Sequence, residues 1–238
     1  MKLYKNLCEA VVRSLSDVFI DHRYADKVIE RTMKSNRKWG GRDRRFIAEN
    51  TYEMIRWWRL ICDVSKTKEV SDEKVIWKLF GVWCVLNNWG LPEWHEVKDI
   101  DEKSILASNE KLQRVRKVRE SIPDWMDEMC IQELGQSSWE REVSALNEQA
   151  KVVLRVNSLK ATRSQLQRLF EEQEVETETL TNFPDALVLS RRQNVFRLPQ
   201  FKEGKFEVQD ASSQLVAPFL QVKNGMRVID ACAGAGGK

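Results

Sequence analysis

The stretch VIDACAGAGGK, residues 228–238, joins a short apolar run to a loop of small residues and glycines. The run ends at Asp230, and the pattern predicts a buried strand of a parallel sheet that leads into a ligand-binding loop. Glycines at positions 234, 236 and 237 would let the backbone adopt positive φ angles and approach a ligand closely. Their spacing fits neither a Walker A motif nor a dinucleotide fingerprint. A plain strand-to-helix turn explains the loop alone equally well.

Upstream of this stretch, hydrophobic periodicity predicts a helical domain over residues 1–147. In LYKNLCEAVVRSLSDVF, residues 3–19, apolar side chains recur every three or four positions, as on one face of a helix. Asp43 and Asp72 stand where each could cap a long helix. We predict that the first of these helices runs from about Arg44 to Val64.

Short alternating segments replace this periodicity and predict a small α+β module over residues 148–207. Thr162 is the predicted N-cap of its helix, and the serines at 212–213 are the predicted cap of a later helix. Residues 208–238 are assigned to the start of a third domain, so the predicted fold class is α plus α+β, ending in the first strand and loop of a Rossmann-like domain. The predicted strands of the module are VVLRVN (152–157), EVETETL (174–180), ALVLS (186–190) and NVFRL (194–198).

Composition indicates a globular protein, with 42% hydrophobic and 32% charged residues. No apolar run approaches the roughly 20 residues that span a bilayer, and charges interrupt the N-terminus too often for a signal peptide. The five cysteines lie far apart without a CxxC pair, and there are only two histidines. We therefore expect reduced, mostly buried thiols in a cytoplasmic protein, with no zinc site and no membrane partner.

Basic residues concentrate near the N-terminus. Residues 1–60 carry 14 Lys and Arg against 8 Asp and Glu, whereas residues 98–149 carry 8 against 12. This asymmetry favours a polyanionic partner. The basic run RTMKSNRKWGGRDRR, residues 31–45, is explained equally well as a solvated loop and helix start, and an arginine there could instead pair with Glu49. The candidates for phosphate contact are Arg37, Lys38, Arg42, Arg44 and Arg45.

Tryptophan is also unevenly distributed. All nine tryptophans lie between Trp39 and Trp139, within the predicted helical domain. On helical faces this side chain usually belongs to the core, so we expect these rings to pack inside the domain.

Two motifs near the C-terminal end carry a family resemblance. FKEGKFEVQDASSQLVAPFL, residues 201–220, precedes VIDACAGAGGK. Together they resemble the S-adenosylmethionine-dependent RNA cytosine-5 methyltransferases of the bacterial Sun/Fmu type, similar to ribosomal small-subunit methyltransferase B. Gly234 and Ala235 replace the family's usual Ala-Pro. The matching residues are Phe201, Gly204, Phe206, Gln209, Asp210, Ser212, Ser213, Gln214, Val216, Val228, Ile229, Asp230, Cys232, Ala233, Gly236, Gly237 and Lys238.

Upstream segments extend the resemblance over nearly the whole chain. RYADKVIER (23–31) and GGRDRRFIAENTYEMIRWWRL (40–60) resemble the NusB-like helical domain of the longer family members. LRVNSLKATRSQL (154–166) and ALVLS resemble the family's small pre-catalytic module.

The resemblance implies S-adenosylmethionine as cofactor, with backbone amides of the loop holding its methionine end. It also implies that Asp210 and Ser212 brace the loop. In the family, a cysteine thiolate adds to C6 of cytosine, C5 attacks the sulfonium methyl group, and a second cysteine helps to release the product. Both cysteines lie in later motifs, so we expect no catalytic residue and no activity in these 238 residues alone. The implied cofactor contacts are Cys232, Ala233, Gly234, Ala235, Gly236, Gly237 and Lys238.

The leading interpretation is the N-terminal part of a monomeric RNA cytosine-5 methyltransferase that acts on 16S ribosomal RNA, with an incomplete cofactor site. The alternative is a non-enzymatic, NusB-like adaptor that binds RNA or protein. The glycine loop argues against the adaptor, which has no use for it. A reading frame that continues into Pro-Cys and Thr-Cys motifs would favour the enzyme.

Overall fold

The computed structural model describes residues 2–233, which form two compact units. The first, called here the helical unit, extends to Glu148, and the second, the sheet unit, begins at Gln149. Helices alone build the first unit, and a small antiparallel sheet with helices builds the second. The predicted mixture of α and α+β structure is therefore confirmed. No helix in the described part of the chain is both long and apolar enough to cross a bilayer.

The helical unit follows the predicted periodicity. Its central helix is the fifth, which is buried on nearly every side from Ile76 to Val85 because that stretch carries a single charge, at Lys78. The helices are α1 (Lys5–Phe19), α2 (Ala25–Ser35), α3 (Gly41–Arg56), α4 (Trp58–Val64), α5 (Glu73–Leu86), α6 (Glu102–Leu112), α7 (Arg116–Arg119), α8 (Asp124–Leu134) and α9 (Gln136–Asn147).

Helix α5 begins as predicted and packs closely against the loop that follows it. The Asp72 carboxylate accepts hydrogen bonds from the backbone N–H groups of Lys74 and Val75, at 2.9 and 3.0 Å, which confirms the predicted cap. At Gly81, an added Cβ would lie 2.1 Å from the Ile100 side chain. The absence of a side chain at this position therefore lets residues 97–100 lie directly on the helix.

The predicted helix from Arg44 to Val64 differs from the observed structure at its start and in its middle. The chain becomes helical at Gly41, and the Asp43 carboxylate accepts the Gly40 N–H at 3.0 Å from inside the first turn, so Asp43 is not the cap. The helix breaks at Trp57, where α3 gives way to α4. The break gives the adjacent tryptophans different neighbours, because Trp58 stacks on Phe19 with ring centroids 3.5 Å apart.

The sheet unit contains four antiparallel strands in the order β2-β3-β1-β4. The Thr162 side chain accepts the Gln165 N–H at 3.3 Å, which confirms the predicted N-cap. The elements are β1 (Val153–Val156), α10 (Arg163–Glu171), β2 (Thr177–Leu180), β3 (Phe183–Leu189), α11 (Pro199–Lys202), β4 (Phe206–Val208), α12 (Ala211–Gln214) and α13 (Val216–Phe219).

One predicted strand was wrong and one strand was missed. NVFRL forms a 3-10 turn over Val195–Arg197, because the Asn194 side chain accepts the Phe196 N–H at 3.1 Å and closes the backbone locally. The missed strand is β4, which has only three residues and pairs with β1. Phe206 anchors it in the core, 5.4 Å from the Phe170 ring centroid in an edge-on contact.

The strand predicted at Val228–Asp230 does not form. Residues 226–230 have no regular structure, and Ile229 is 90% exposed. A central parallel strand requires neighbouring strands on both sides, and none of the described residues pairs with this segment. The apolar residues of this segment therefore have no pairing strand in the described part of the chain.

Candidate functional site

The QDASSQ segment of the sheet unit is held in place by its first acidic side chain. The Asp210 carboxylate accepts the backbone N–H groups of Ser212 at 2.8 Å and of Ser213 at 3.4 Å. Asp210 is thus the N-cap of α12, and the predicted cap by the two serines was wrong. The carboxylate braces the start of this helix through its own backbone.

Two glutamines fasten the same segment to the sheet. The side-chain amide of buried Gln214 donates hydrogen bonds to the backbone carbonyls of Gln209, at 3.0 Å, and of Leu154, at 3.4 Å. The Gln209 N–H extends the pairing by donating to the Val153 carbonyl at 3.0 Å. Because Leu154 belongs to β1, Gln214 joins α12 to the centre of the sheet.

The glycine of the preceding motif has a comparable structural role. Gly204 has φ +68°, a left-handed conformation that favours glycine. Its carbonyl accepts a hydrogen bond from the Asn157 side chain at 2.9 Å, and Lys160 Nζ donates to the neighbouring Glu203 carbonyl at 2.7 Å. The turn before β4 is therefore fastened to the segment that follows β1.

The predicted cofactor loop is only partly described. Cys232 and Ala233 are exposed, and the Cys232 N–H donates to the Asp230 carboxylate at 3.1 Å. The remaining five predicted cofactor contacts lie outside the described residues. They are Gly234, Ala235, Gly236, Gly237 and Lys238.

The five basic candidates of the helical unit separate into two groups. Within residues 2–233, the side chains of Arg37, Lys38 and Arg42 are exposed and make no ion pair or hydrogen bond. Arg44 instead donates to the backbone carbonyls of Met33, Asn36 and Trp39, and so closes the loop between α2 and α3. Arg45 lies 3.9 Å from Glu49, one helical turn away on an exposed face.

A groove of about 480 Å³ lies beside this basic run and was missed by the sequence analysis. One wall is a stripe of α3 that includes Arg42, Phe46 and Glu53, and the other wall comes from the end of α5 and the following loop. We name it the tryptophan groove, after Trp57, Trp83 and Trp89. The spacing of 42, 45, 46, 49, 53 and 57 along one helix face was a signal that could have revealed it.

Tryptophan burial explains why the groove was missed. Trp83 is buried, as expected for a core residue, but Trp57 and Trp89 are only half-buried. The indole N–H of Trp57 donates to Glu53 at 3.1 Å, and that of Trp83 donates to Asn50 at 3.1 Å. With these polar atoms satisfied, the rings provide apolar surface to the groove.

Burial makes three of the five cysteine thiols less acidic than a free thiol. Burial raises the pKa of the Cys8 and Cys84 thiols to about 12 and that of Cys62 to about 11. Cys130 is half-buried, and Cys232 is exposed in the loop. Among the described residues, no three His, Cys, Asp or Glu side chains are grouped so as to hold a metal ion.

Part of the chain is similar in sequence to known proteins. Residues 122–196 match the family model of the ferredoxin-like domain of RsmF/B-like methyltransferases. Ribosomal RNA small subunit methyltransferase B of Klebsiella pneumoniae is 37% identical over 116 residues, which cover 49% of this chain and 27% of that protein. The protein of the same name from Pseudomonas syringae pv. tomato is 35% identical over 121 residues, 51% of this chain and 27% of the relative.

The sequence matches cover about half of this chain, whereas the structural likeness covers nearly all of it. The chain spans about a quarter of the length of the curated relatives it matches. The crystal structure of PH0851 superposes with a TM-score of 0.62 over 94% of this chain and 57% of its own, at 18% identity, which is a likeness of fold. The family that these comparisons support, through residues 122–196 and about half of the chain, is that of the RsmF/B-like methyltransferases.

Proposed function

We propose that these 238 residues supply the RNA-positioning part and the first section of the cofactor site of a monomeric, S-adenosylmethionine-dependent RNA cytosine-5 methyltransferase acting on 16S ribosomal RNA. The observation that carries this proposal is the match of residues 122–196 to the ferredoxin-like domain of RsmF/B-like methyltransferases, followed in sequence by QDASSQ and DACAGAGGK. The names of the relatives support ribosomal RNA as the substrate class.

Each part of the chain has a place in this proposal. Residues 1–147 are a NusB-like RNA-binding domain, residues 148–207 the pre-catalytic module, and residues 208–238 the start of a Rossmann-like methyltransferase domain. The unpartnered cations Arg37, Lys38 and Arg42 support RNA contact, since phosphate binding requires charges that are free of protein partners. Arg44 is committed to backbone carbonyls and serves to hold the basic loop in shape.

The described start of the loop fits the proposed cofactor. Cys232 and Ala233 have small, exposed side chains, so a ligand can approach their backbone. When bound, S-adenosylmethionine supplies the methyl group. Backbone amides of residues 232–238 would hold its methionine carboxylate, while Asp210 caps α12 and Gln214 joins that helix to the sheet. We propose that these 238 residues transfer no methyl group alone, because none of the family's later cysteine motifs occurs in them.

Alkylation of Cys232 provides a direct test of the cofactor site. We expect S-adenosylmethionine to slow the reaction of Cys232 with iodoacetamide and to leave Cys130 unaffected. Incubation with tritiated S-adenosylmethionine and unmodified 16S ribosomal RNA should transfer no label. Equal alkylation rates with and without S-adenosylmethionine would count against the cofactor site, and labelled RNA would refute the proposed inactivity.

A further inference from the structure

We propose that the tryptophan groove binds an unpaired RNA base, and that Arg42 contacts the phosphate beside it. This inference rests on the proposed RNA-positioning role and names the kind of RNA that the helical unit takes: a single-stranded segment. It concerns a site on α3 and α5, which lies outside the QDASSQ and DACAGAGGK motifs.

Size and lining both suit a nucleobase. The groove volume of about 480 Å³ falls within the range of small-molecule sites. Aromatic rings line both walls: the Phe46 ring centroid on the α3 wall lies 6.3 Å from that of Trp89, and the Trp83 and Trp89 ring centroids are 6.4 Å apart and edge-on. Such packing fixes the rings in advance, so a base would lose little free energy to side-chain ordering. Aromatic platforms of this kind bind bases of single-stranded nucleic acid by stacking.

A second recess shares residues with the tryptophan groove. It has a volume of about 150 Å³ and is lined by Lys2, Tyr4 and Leu7 near the start of the chain and by Arg42, Asp43 and Phe46 of α3. Tyr4 is 53% exposed, and Lys2 Nζ lies 5.4 Å from its ring centroid. Arg42 therefore stands between two aromatic surfaces, which suits the phosphate that links two neighbouring nucleotides.

Charge decides between RNA and a basic peptide as the occupant. Glu49 and Glu53 line the groove, but each has a protein partner, Arg45 at 3.9 Å and the Trp57 indole N–H at 3.1 Å. The cations without partners, Arg37, Lys38 and Arg42, would repel a basic segment and attract a phosphate backbone. The two carboxylates are then acceptors for N–H groups on the edge of the base.

Duplex RNA cannot use this site. In an A-form helix the bases are stacked inside, and the grooves offer no ring face to a protein. The groove would thus select unpaired segments, whereas the basic run attracts any RNA.

The test uses the 238-residue chain and three fluorescein-labelled probes: a 12-nucleotide single-stranded RNA, its duplex, and an abasic ribose-phosphate strand of equal length. We expect the single strand to bind at least tenfold more tightly than the abasic strand. Trp57→Leu and Trp89→Leu should each weaken binding of the single strand roughly 5- to 100-fold, and leave binding of the abasic strand unchanged. Trp125→Leu is the matched control, since Trp125 is 63% exposed on α8.

Different outcomes would contradict the base-binding groove and the proposed RNA-positioning role. If the two groove variants bind single-stranded RNA as Trp125→Leu does, the groove takes no base, although Arg37, Lys38 and Arg42 can still hold RNA. Tight binding of an arginine-rich peptide in place of RNA would also overturn the inference. If charge reversal at those three cations leaves the salt dependence of RNA binding unchanged, the RNA-positioning role itself is wrong. Should Trp89→Leu lose its helical circular dichroism, Trp57→Leu alone decides the test.

Discussion

Arg116 holds both carboxylate oxygens of Asp127, with Nε 2.8 Å from Oδ1 and Nη2 3.2 Å from Oδ2. The two side chains are only 13% and 11% exposed. The indole N–H of Trp139 donates to the same carboxylate at 2.8 Å, and Glu140 reaches Arg116 at 3.1 Å. A planar, two-point contact with low exposure is the strong form of an ion pair, and it ties α7 to α8 and α9.

Asp127→Ala should destabilise the helical unit by about 3 kcal/mol, because it leaves the Arg116 charge buried with Glu140 as its remaining partner. All nine tryptophans lie in this unit, so tryptophan fluorescence during urea unfolding reports on it alone. Asp124→Ala is the matched control. Asp124 is 56% exposed and pairs with Arg59 and Lys117 at the surface, so its loss should destabilise the unit much less than the loss of Asp127. Equal losses in the two variants would contradict the argument.

The same pair predicts how stability depends on pH. Hydrogen bonding to Arg116 lowers the pKa of Asp127 below its ordinary value of 3.8. The folded protein therefore binds this proton less readily than the unfolded chain, and the stabilisation is fully present above pH 3.8 and lost as the pH falls through the lower folded value. Urea midpoints of the wild type and Asp127→Asn should differ most near neutral pH and converge in acid. A difference that stays constant down to pH 2.5 would be incompatible with this assignment.

Gly204→Ala should destabilise the sheet unit by roughly 1–2 kcal/mol, since φ +68° strains an alanine and its Cβ would lie 2.9 Å from Lys160 Nζ. Hydrogen exchange over β1 and β4 is the suitable measurement, because no tryptophan lies in this unit. Gly225 also has positive φ, but a Cβ there would meet nothing within 4 Å and its surroundings are exposed. Gly225→Ala should leave exchange over the sheet unchanged, and equal effects of the two changes would refute the role assigned to Gly204.

Thiol reactivity should follow burial. At pH 8, we expect Cys232 to react quickly with a disulfide reagent, while Cys8, Cys62 and Cys84 stay unreactive because burial raises the pKa of each. Mass spectrometry of the labelled peptides identifies each site. In urea, all five cysteines should react at comparable rates. Rapid native labelling of Cys8 or Cys84 would show that the packing around α1 and α5 opens more readily than the structure indicates.

Local signals predicted the elements that depend on neighbours in sequence. Thr162 caps α10 through Gln165, and Asp72 caps α5 through Lys74 and Val75, so three or four residues contain the whole interaction. The break at Trp57 could not be predicted in this way, because the stacking partner of Trp58 is Phe19, about forty positions earlier. β4 was missed for the same reason: its three residues become a strand only by pairing with β1.

The candidate sites divide along the same line. Family resemblance pointed to QDASSQ, and the uneven distribution of charge pointed to the basic run. Only the structure separates Arg44, which donates hydrogen bonds to backbone carbonyls, from the unpartnered Arg42 two positions before it. The tryptophan groove depends on α3 and α5 lying side by side, so Trp57 and Trp89 looked like ordinary core residues in the sequence. The predicted contacts at 234–238 stay predictions.

The Arg116–Asp127 pair also joins two residues that stand on opposite sides of residue 122, where the family match begins. The family match begins at residue 122, whereas the compact helical unit continues to Glu148, so α8 and α9 belong both to the matched segment and to the helical unit. A protein piece that starts at residue 122 would contain Asp127 and Trp139 but not the guanidinium that binds that carboxylate. Exchange of residues 122–196 for the matching segment of a relative should therefore succeed only where the incoming segment supplies a carboxylate that can pair with Arg116.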